Sequence, residues 1–177
     1  MRTHRMGALV MLVGLVGCAT TFDPARVGVH AVPEAVRVPT GQILALEARA
    51  RGVQVYECRS GAESGKFEWA LKGPEAELYD MDGTSIGKHY AGPTWEVTDG
   101  SKVVGEVKAK DAGPDANAVP WLLMAAKSTE GPGVLGKIAS IQRLATIGGK
   151  APADGCSRDR EGAVVRVGYK AIYRFYR

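Results

Sequence analysis

Few side chains in this sequence could carry acid–base or ligand chemistry, and two short stretches hold the best placed of them. The first is His89-Tyr90-Ala91-Gly92-Pro93-Thr94-Trp95-Glu96, where a strand-like run turns at Gly92-Pro93 with imidazole, phenol, indole and carboxylate close together. An imidazole beside a carboxylate can act as a general acid–base pair, so His89 and Glu96 are the catalytic candidates. The competing expectation is a structural hydrogen bond at a β corner. Histidine is otherwise confined to His4 and His30, outside the patterned part of the chain, so a multi-histidine metal site is excluded. No metal or cofactor is expected.

The second stretch is Gln142-Arg143, inside the apolar run from Ile138 to Ile147. A guanidinium near a core must find an acceptor. Either it pairs with a carboxylate such as Glu96 or Asp80, or it serves an anion. Trp95, Trp121 and Tyr90 offer faces that stack on apolar or sugar ligands, with core packing as their competing use. The candidate ligand-binding set is therefore Tyr90, Trp95, Trp121, Gln142 and Arg143. Gly83-Thr84-Ser85-Ile86-Gly87 matches the G-x-S-x-G nucleophile elbow, but that elbow needs a helix after it, and here Gly87, Gly92 and Pro93 follow. Ser85 is set aside.

These residues need a frame, and from Gln42 onward the pattern is period-2 alternation in short runs broken by Gly, Pro and Asp. Leu44 to Ala48, Val53 to Cys58 and Phe67 to Leu71 read as the first three strands. Asp82-Gly83 and Asp99-Gly100, each flanked by strand-like sequence, predict tight type I′ hairpins and so a four-strand meander over Glu77 to Ala109. Pro120 to Ala126 reads as a buried strand, and Val134 to Ile147 fits strand or helix, with strand preferred. In the last run Val165, Val167, Tyr169, Ala171, Tyr173 and Phe175 face in while Arg166, Lys170 and Arg174 face out. The fold class is all-β, an antiparallel sandwich or barrel of about ten strands with little helix.

The N-terminus says where such a domain works. Arg2 and Arg5 precede an apolar stretch from Met6 to Gly17, the pattern of a signal peptide. Twelve such residues fall short of the roughly 20 needed to cross a bilayer as a helix. The stretch ends in Leu15-Val16-Gly17-Cys18, which resembles the lipobox of bacterial lipoproteins; Cys18 would then carry lipid after removal of residues 1–17. Ala19, rather than Asp, favours the outer membrane, facing the periplasm. Residues 18–40, with Pro24, Pro33 and Pro39, read as a tether, and residues 41–177 as one β domain.

Loss of residues 1–17 leaves 21 basic against 19 acidic side chains, too even a balance for the dense basic face that nucleic acid requires. Nucleic acid is excluded as a partner. The membrane, a small molecule or an envelope component remain. Two cysteines are left in an oxidising compartment, so a Cys58–Cys156 disulfide is expected.

Together these pieces resemble a family of secreted bacterial and fungal proteins known only as a numbered domain of unknown function (three-four-five-five). The matching segments are Gly52-Val-Gln-Val-Tyr56-Glu-Cys58, His89 to Glu96, Asp99-Gly-Ser101, Pro120-Trp-Leu-Leu123, Ile141-Gln-Arg143, Gly148-Gly149 with Ala151-Pro152, Cys156 and Tyr173-Arg-Phe-Tyr176. The resemblance implies a secreted domain with Cys58 paired to Cys156, and it brings no activity or cofactor. One departure is Ala145, where the resemblance implies Asn. Two functions follow: a ligand- or partner-binding envelope lipoprotein acting around Tyr90 and Trp95, ranked first, or a hydrolase or isomerase using His89 and Glu96 in a pocket with Arg143.

Overall fold

Strands that alternate inward and outward side chains can hide one face only by packing on a second sheet or by closing on themselves. This chain closes. The computed structural model describes residues 32–63 and 65–177, and eight antiparallel strands follow one another around a closed barrel in chain order. They are β1 (Leu44–Ser60), β2 (Phe67–Tyr79), β3 (Ser85–Tyr90), β4 (Thr94–Val97), β5 (Lys102–Asp111), β6 (Trp121–Glu130), β7 (Ser140–Gly148) and β8 (Val164–Tyr176). β8 pairs with β1, so among the described residues the sheet has no open edge strand to recruit another chain. Residues 1–31, including the expected signal segment, Cys18 and His30, lie outside the described residues.

The expected ten strands become eight because two predicted breaks are bends within strands. At Gly52 the chain runs on through β1, and a Cβ there would sit 2.1 Å from Glu75 O, so only glycine lets β1 and β2 approach this closely. Pro74 falls inside β2 opposite Gln54, beyond the point where β3 stops pairing, so its missing N–H costs no bond on that side. The four-strand meander is present as β2 to β5. Its turns differ from the expected type I′: Gly83 and Gly100 have positive φ, of 91° and 81°, but the aspartates before them do not. Gly83 N–H donates to Asp80 O and Gly100 N–H to Val97 O, giving type I turns with the glycine as the left-handed residue that follows.

The interior holds Ala48, Leu78, Trp95, Val103, Met124, Ile141, Tyr173 and Phe175. Gly105 makes room for Trp95, whose ring would lie 2.9 Å from an added Cβ. Outside, the register sets Arg51 opposite Glu77, Glu77 opposite Lys88, Lys88 opposite Glu96, Glu96 opposite Lys102 and Lys102 opposite Glu130. This alternating ladder includes ion pairs of 3.6 Å (Lys88–Glu96) and 2.8 Å (Lys102–Glu130). A one-residue slip in any pair would turn charges inward, so the ladder and the core specify the same register.

The expected tether stops earlier than residue 40. Val32, two residues before a single turn over Glu34–Val36, and Val36, the last residue of that turn, pack on an outer apolar patch of Trp121, Leu144, Ala145 and Ile172. Gln142 Nε2 donates to Val36 O at 2.5 Å. In Val134 to Ile147, Val134–Lys137 forms a 3₁₀ turn and Ser140–Gly148 the preferred strand. Cys58 and Cys156, 98 residues apart, form the expected disulfide with Cα atoms 5.4 Å apart.

Candidate functional site

The β3–β4 hairpin separates the proposed catalytic pair. Its register places His89 opposite Trp95 and Lys88 opposite Glu96, so His89 faces the interior and Glu96 the outer ladder. The two cannot act on one substrate, and the expected His89–Glu96 acid–base pair is corrected on that ground. His89 is 2% exposed, stacks on Trp95 at 4.3 Å, meets Tyr173 edge-on at 4.9 Å and holds Thr94 O at 2.8 Å through Nδ1. Burial pushes its pKa down to about 3, with the Thr94 bond opposing and the Arg143 charge adding, so the imidazole is neutral. Glu96 accepts a 2.9 Å hydrogen bond from Tyr90, which with Lys88 and Lys102 holds its carboxyl low.

The proposed ligand set is also divided by the sheet. Trp95 is sealed inside; Tyr90 lies outside with Lys88 over its ring; Trp121 lies outside under Val32 and Val36. The described structure thus places them on opposite faces of the sheet rather than around one site. Gln142 faces out, bonded to Val36 O and to the Tyr176 hydroxyl at 2.9 Å, whereas Arg143, the next residue, faces in. Ser85 opens β3 at the surface and donates to Glu77 at 3.2 Å, with strand rather than helix after it. The stripe on β8 pairs with acids: Arg166 with Glu75 and Arg174 with Glu47.

Arg143 makes neither of the expected ion pairs. Its Nε and Nη2 donate to Pro120 O at 3.0 and 2.9 Å, and no carboxylate pairs with it among the described residues. Its charge instead acts on Tyr56, His89, Tyr169 and Tyr173, lowering each pKa against or alongside burial. Burial dominates for the phenols and keeps Tyr169 and Tyr173 protonated. The Tyr173 hydroxyl is near both the Tyr169 hydroxyl and the guanidinium, yet neither contact reaches hydrogen-bonding geometry.

Around this cation several buried polar atoms have no partner among the described residues: Gln54 Nε2, Tyr169 Oη, Tyr173 Oη and, one layer further, Trp95 Nε1. Buried polar groups are nearly always bonded, so such a cluster demands an account. Gln54, Tyr169 and Tyr173 come from β1 and β8 and Arg143 from β7. The loop after β7 presses on them: a Cβ at Gly149 would meet Tyr169 Cβ at 2.7 Å and Gln54 Cγ at 3.2 Å. Tyr56 ties that loop down by donating to Gly149 O at 2.7 Å, and the disulfide anchors its far end. Reasoning from sequence read Tyr169 and Tyr173 as inward but missed them as a site; the signal is hydroxyl-bearing residues at inward positions of an otherwise apolar strand.

Two depressions lie elsewhere. One, about 400 Å³, is an outer groove walled by Arg51, Glu75, Glu77, Lys88 and Tyr90. The other, about 250 Å³, lies beside the disulfide between Phe67, Trp69, Pro152 and Asp154. Trp69 Nε1 already donates to Asp154 O there at 2.8 Å.

The fold thus defines an up-and-down, disulfide-linked β-barrel with an unusually polar interior at one end. The chain belongs to the family described as Protein of unknown function (DUF3455), whose model matches residues 39–177. Comparison with curated proteins gives no match.

Proposed function

We propose that this chain is an envelope lipoprotein whose barrel binds a ligand through the end built around Arg143. The observation that carries the binding role is the cation without a carboxylate among unpartnered buried donors. Keeping such groups unpaired costs stability in the free protein, a cost characteristic of sites completed by a ligand. The expected ligand surface moves accordingly, from the Tyr90–Trp95 corner to the inside of the barrel.

The anchor rests on Leu15-Val16-Gly17-Cys18. With Val32 packed on the barrel, the 13 residues between it and Cys18 can span at most about 50 Å, which would hold the domain close to the bilayer, on the outer membrane's periplasmic side.

A small-molecule screen followed by NMR of the purified chain tests the binding role. Hits should shift the Tyr169 and Tyr173 ring signals; hits that shift only Tyr90 and its outer neighbours would refute it. For the anchor, Cys18→Ser should release the protein from the membrane fraction, and continued membrane association would refute it.

A further inference from the structure

We infer that the ligand of this end is a monocarboxylate with an apolar body, its headgroup taken by Arg143 together with the Tyr169 and Tyr173 hydroxyls. This rests on the binding reading above and names the chemistry of the same site.

The first support is the sign of the unmet hydrogen bonds. Gln54 Nε2, Tyr169 Oη, Tyr173 Oη and Trp95 Nε1 can all donate, and Arg143 donates only. A cluster of donors calls for a partner rich in acceptors, and a carboxylate supplies about four lone-pair directions and no donor. A sugar or alcohol would bring its own hydroxyl protons and match the set less well. Pro120 O accepts from Nε and Nη2 at 3.0 and 2.9 Å, which fixes the plane of the guanidinium, and the remaining N–H groups of Arg143 are donors of the same kind.

The second support is the charge count. Arg143 is the one inward charge of the cluster, since His89 is neutral and both phenols are protonated. A single negative charge brings the cluster to neutrality, whereas a phosphate dianion would bury one charge in excess.

The third support is what surrounds the cation. Trp95, Tyr173 and Phe175 form an aromatic group on the core side, with ring centres 5.1 to 6.4 Å apart. Towards the rim, Leu71 sits opposite Tyr56 in the register and so on the same face, yet it is 57% exposed. Leucine and phenol at the rim beside a half-buried cation suit an acid with an apolar body.

The test uses the purified full chain with benzoate and octanoate, their neutral amides benzamide and octanamide, and inorganic phosphate. Thermal unfolding and aromatic-ring NMR are followed together. The carboxylates should raise Tm saturably and shift the Tyr169 and Tyr173 rings, with each amide at least tenfold weaker and phosphate without effect on those rings. Arg143→Gln should weaken carboxylate binding at least tenfold. Tyr169→Phe, which keeps the ring and its packing, should weaken it several-fold while the free protein keeps its Tm. If amides or phosphate move the same rings as well as the carboxylates do, the monocarboxylate assignment is overturned and the binding role stands. Equal carboxylate binding by both variants would also overturn it. If no probe moves these rings in the folded chain, both readings fall, and ordered water is what completes the donors.

Discussion

The two ends of the barrel solve the same problem in opposite ways. At the end bearing the β4–β5 and β6–β7 connections, the turn Val134–Lys137 folds inward and buries Leu135 completely. Asp99 accepts from Ser101 N–H at 2.9 Å, from its hydroxyl at 2.6 Å and from Val134 N–H at 2.7 Å, while Ser101 Oγ accepts from Leu135 N–H at 2.9 Å. These polar groups hold an apolar plug. At the other end, Gln54, Tyr169 and Tyr173 leave donors idle around Arg143. At the plugged end the polar groups around the turn are bonded to one another and serve the fold; at the other the donors around Arg143 stand idle, which gives that end its binding capacity.

The largest effect that could break this comparison comes from the disulfide, which pins the loop of the polar end. Chain-entropy arguments give a closed loop of this length on the order of 4 to 5 kcal/mol. For a chain of this size that corresponds to roughly 10 °C or more in Tm. The double variant Cys58→Ala with Cys156→Ala should show such a fall in calorimetry, and a change of a degree or two would mean that the loop is held by its other contacts. At the plugged end, Leu135→Ala removes a fully buried side chain and should cost about 2 to 5 kcal/mol by denaturant unfolding. The Tyr169 and Tyr173 ring signals should stay in place if the ends are independent.

Next comes pH. The folded pKa of His89 is depressed to about 3 against an ordinary value of 6.5, so the unfolded chain takes up the proton first. The stability contributed by the neutral ring is complete above pH 6.5 and is lost as pH falls towards 3, at up to about 1.4 kcal/mol per pH unit. His89→Phe keeps an aromatic ring against Trp95 and should flatten that slope in denaturant titrations across this window. Asp99 acts in the same direction at lower pH, because the Ser101 hydroxyl and the Val134 N–H hold its carboxyl below the usual range. The smallest effect is at Ala145, whose φ of 49° places a non-glycine residue in the left-handed region. Ala145→Gly relieves that strain but loses a methyl packed with Leu144 and Ile172, for a net gain of about 0.5 kcal/mol or none in chemical unfolding.

That residue also shows what was legible in the sequence. The Asn implied by family resemblance at 145 is a residue that tolerates the left-handed region, so the departure marks a backbone requirement rather than a lost polar site. The Asp-Gly turns, the inward face of β8 and the cysteine pair were readable because each depends on neighbours in sequence or on elimination. The separation of His89 from Glu96 was not, because it depends on the parity of one hairpin: Tyr90 pairs with Thr94, which puts Trp95 rather than Glu96 behind His89. The strand count came out two high for a related reason, since Gly52 and Pro74 look like punctuation until their neighbours are known. The docking of Val32 and Val36 escaped notice because one 3₁₀ turn carries too few residues to show a period. The polar cluster draws on β1, β7 and β8, and no local pattern joins them.

The contrast between the ends is tested most directly by the unfolding free energies of Tyr173→Phe and Ser101→Ala, measured side by side without ligand. Removing a hydroxyl that has no partner should leave stability unchanged or raise it by up to about 1 kcal/mol, whereas removing the bonded Ser101 hydroxyl should cost about 1 to 2 kcal/mol. Opposite signs support a polar end left open for a ligand. A loss of 1 kcal/mol or more in Tyr173→Phe would mean that its hydroxyl is already satisfied within the fold, and would contradict the account.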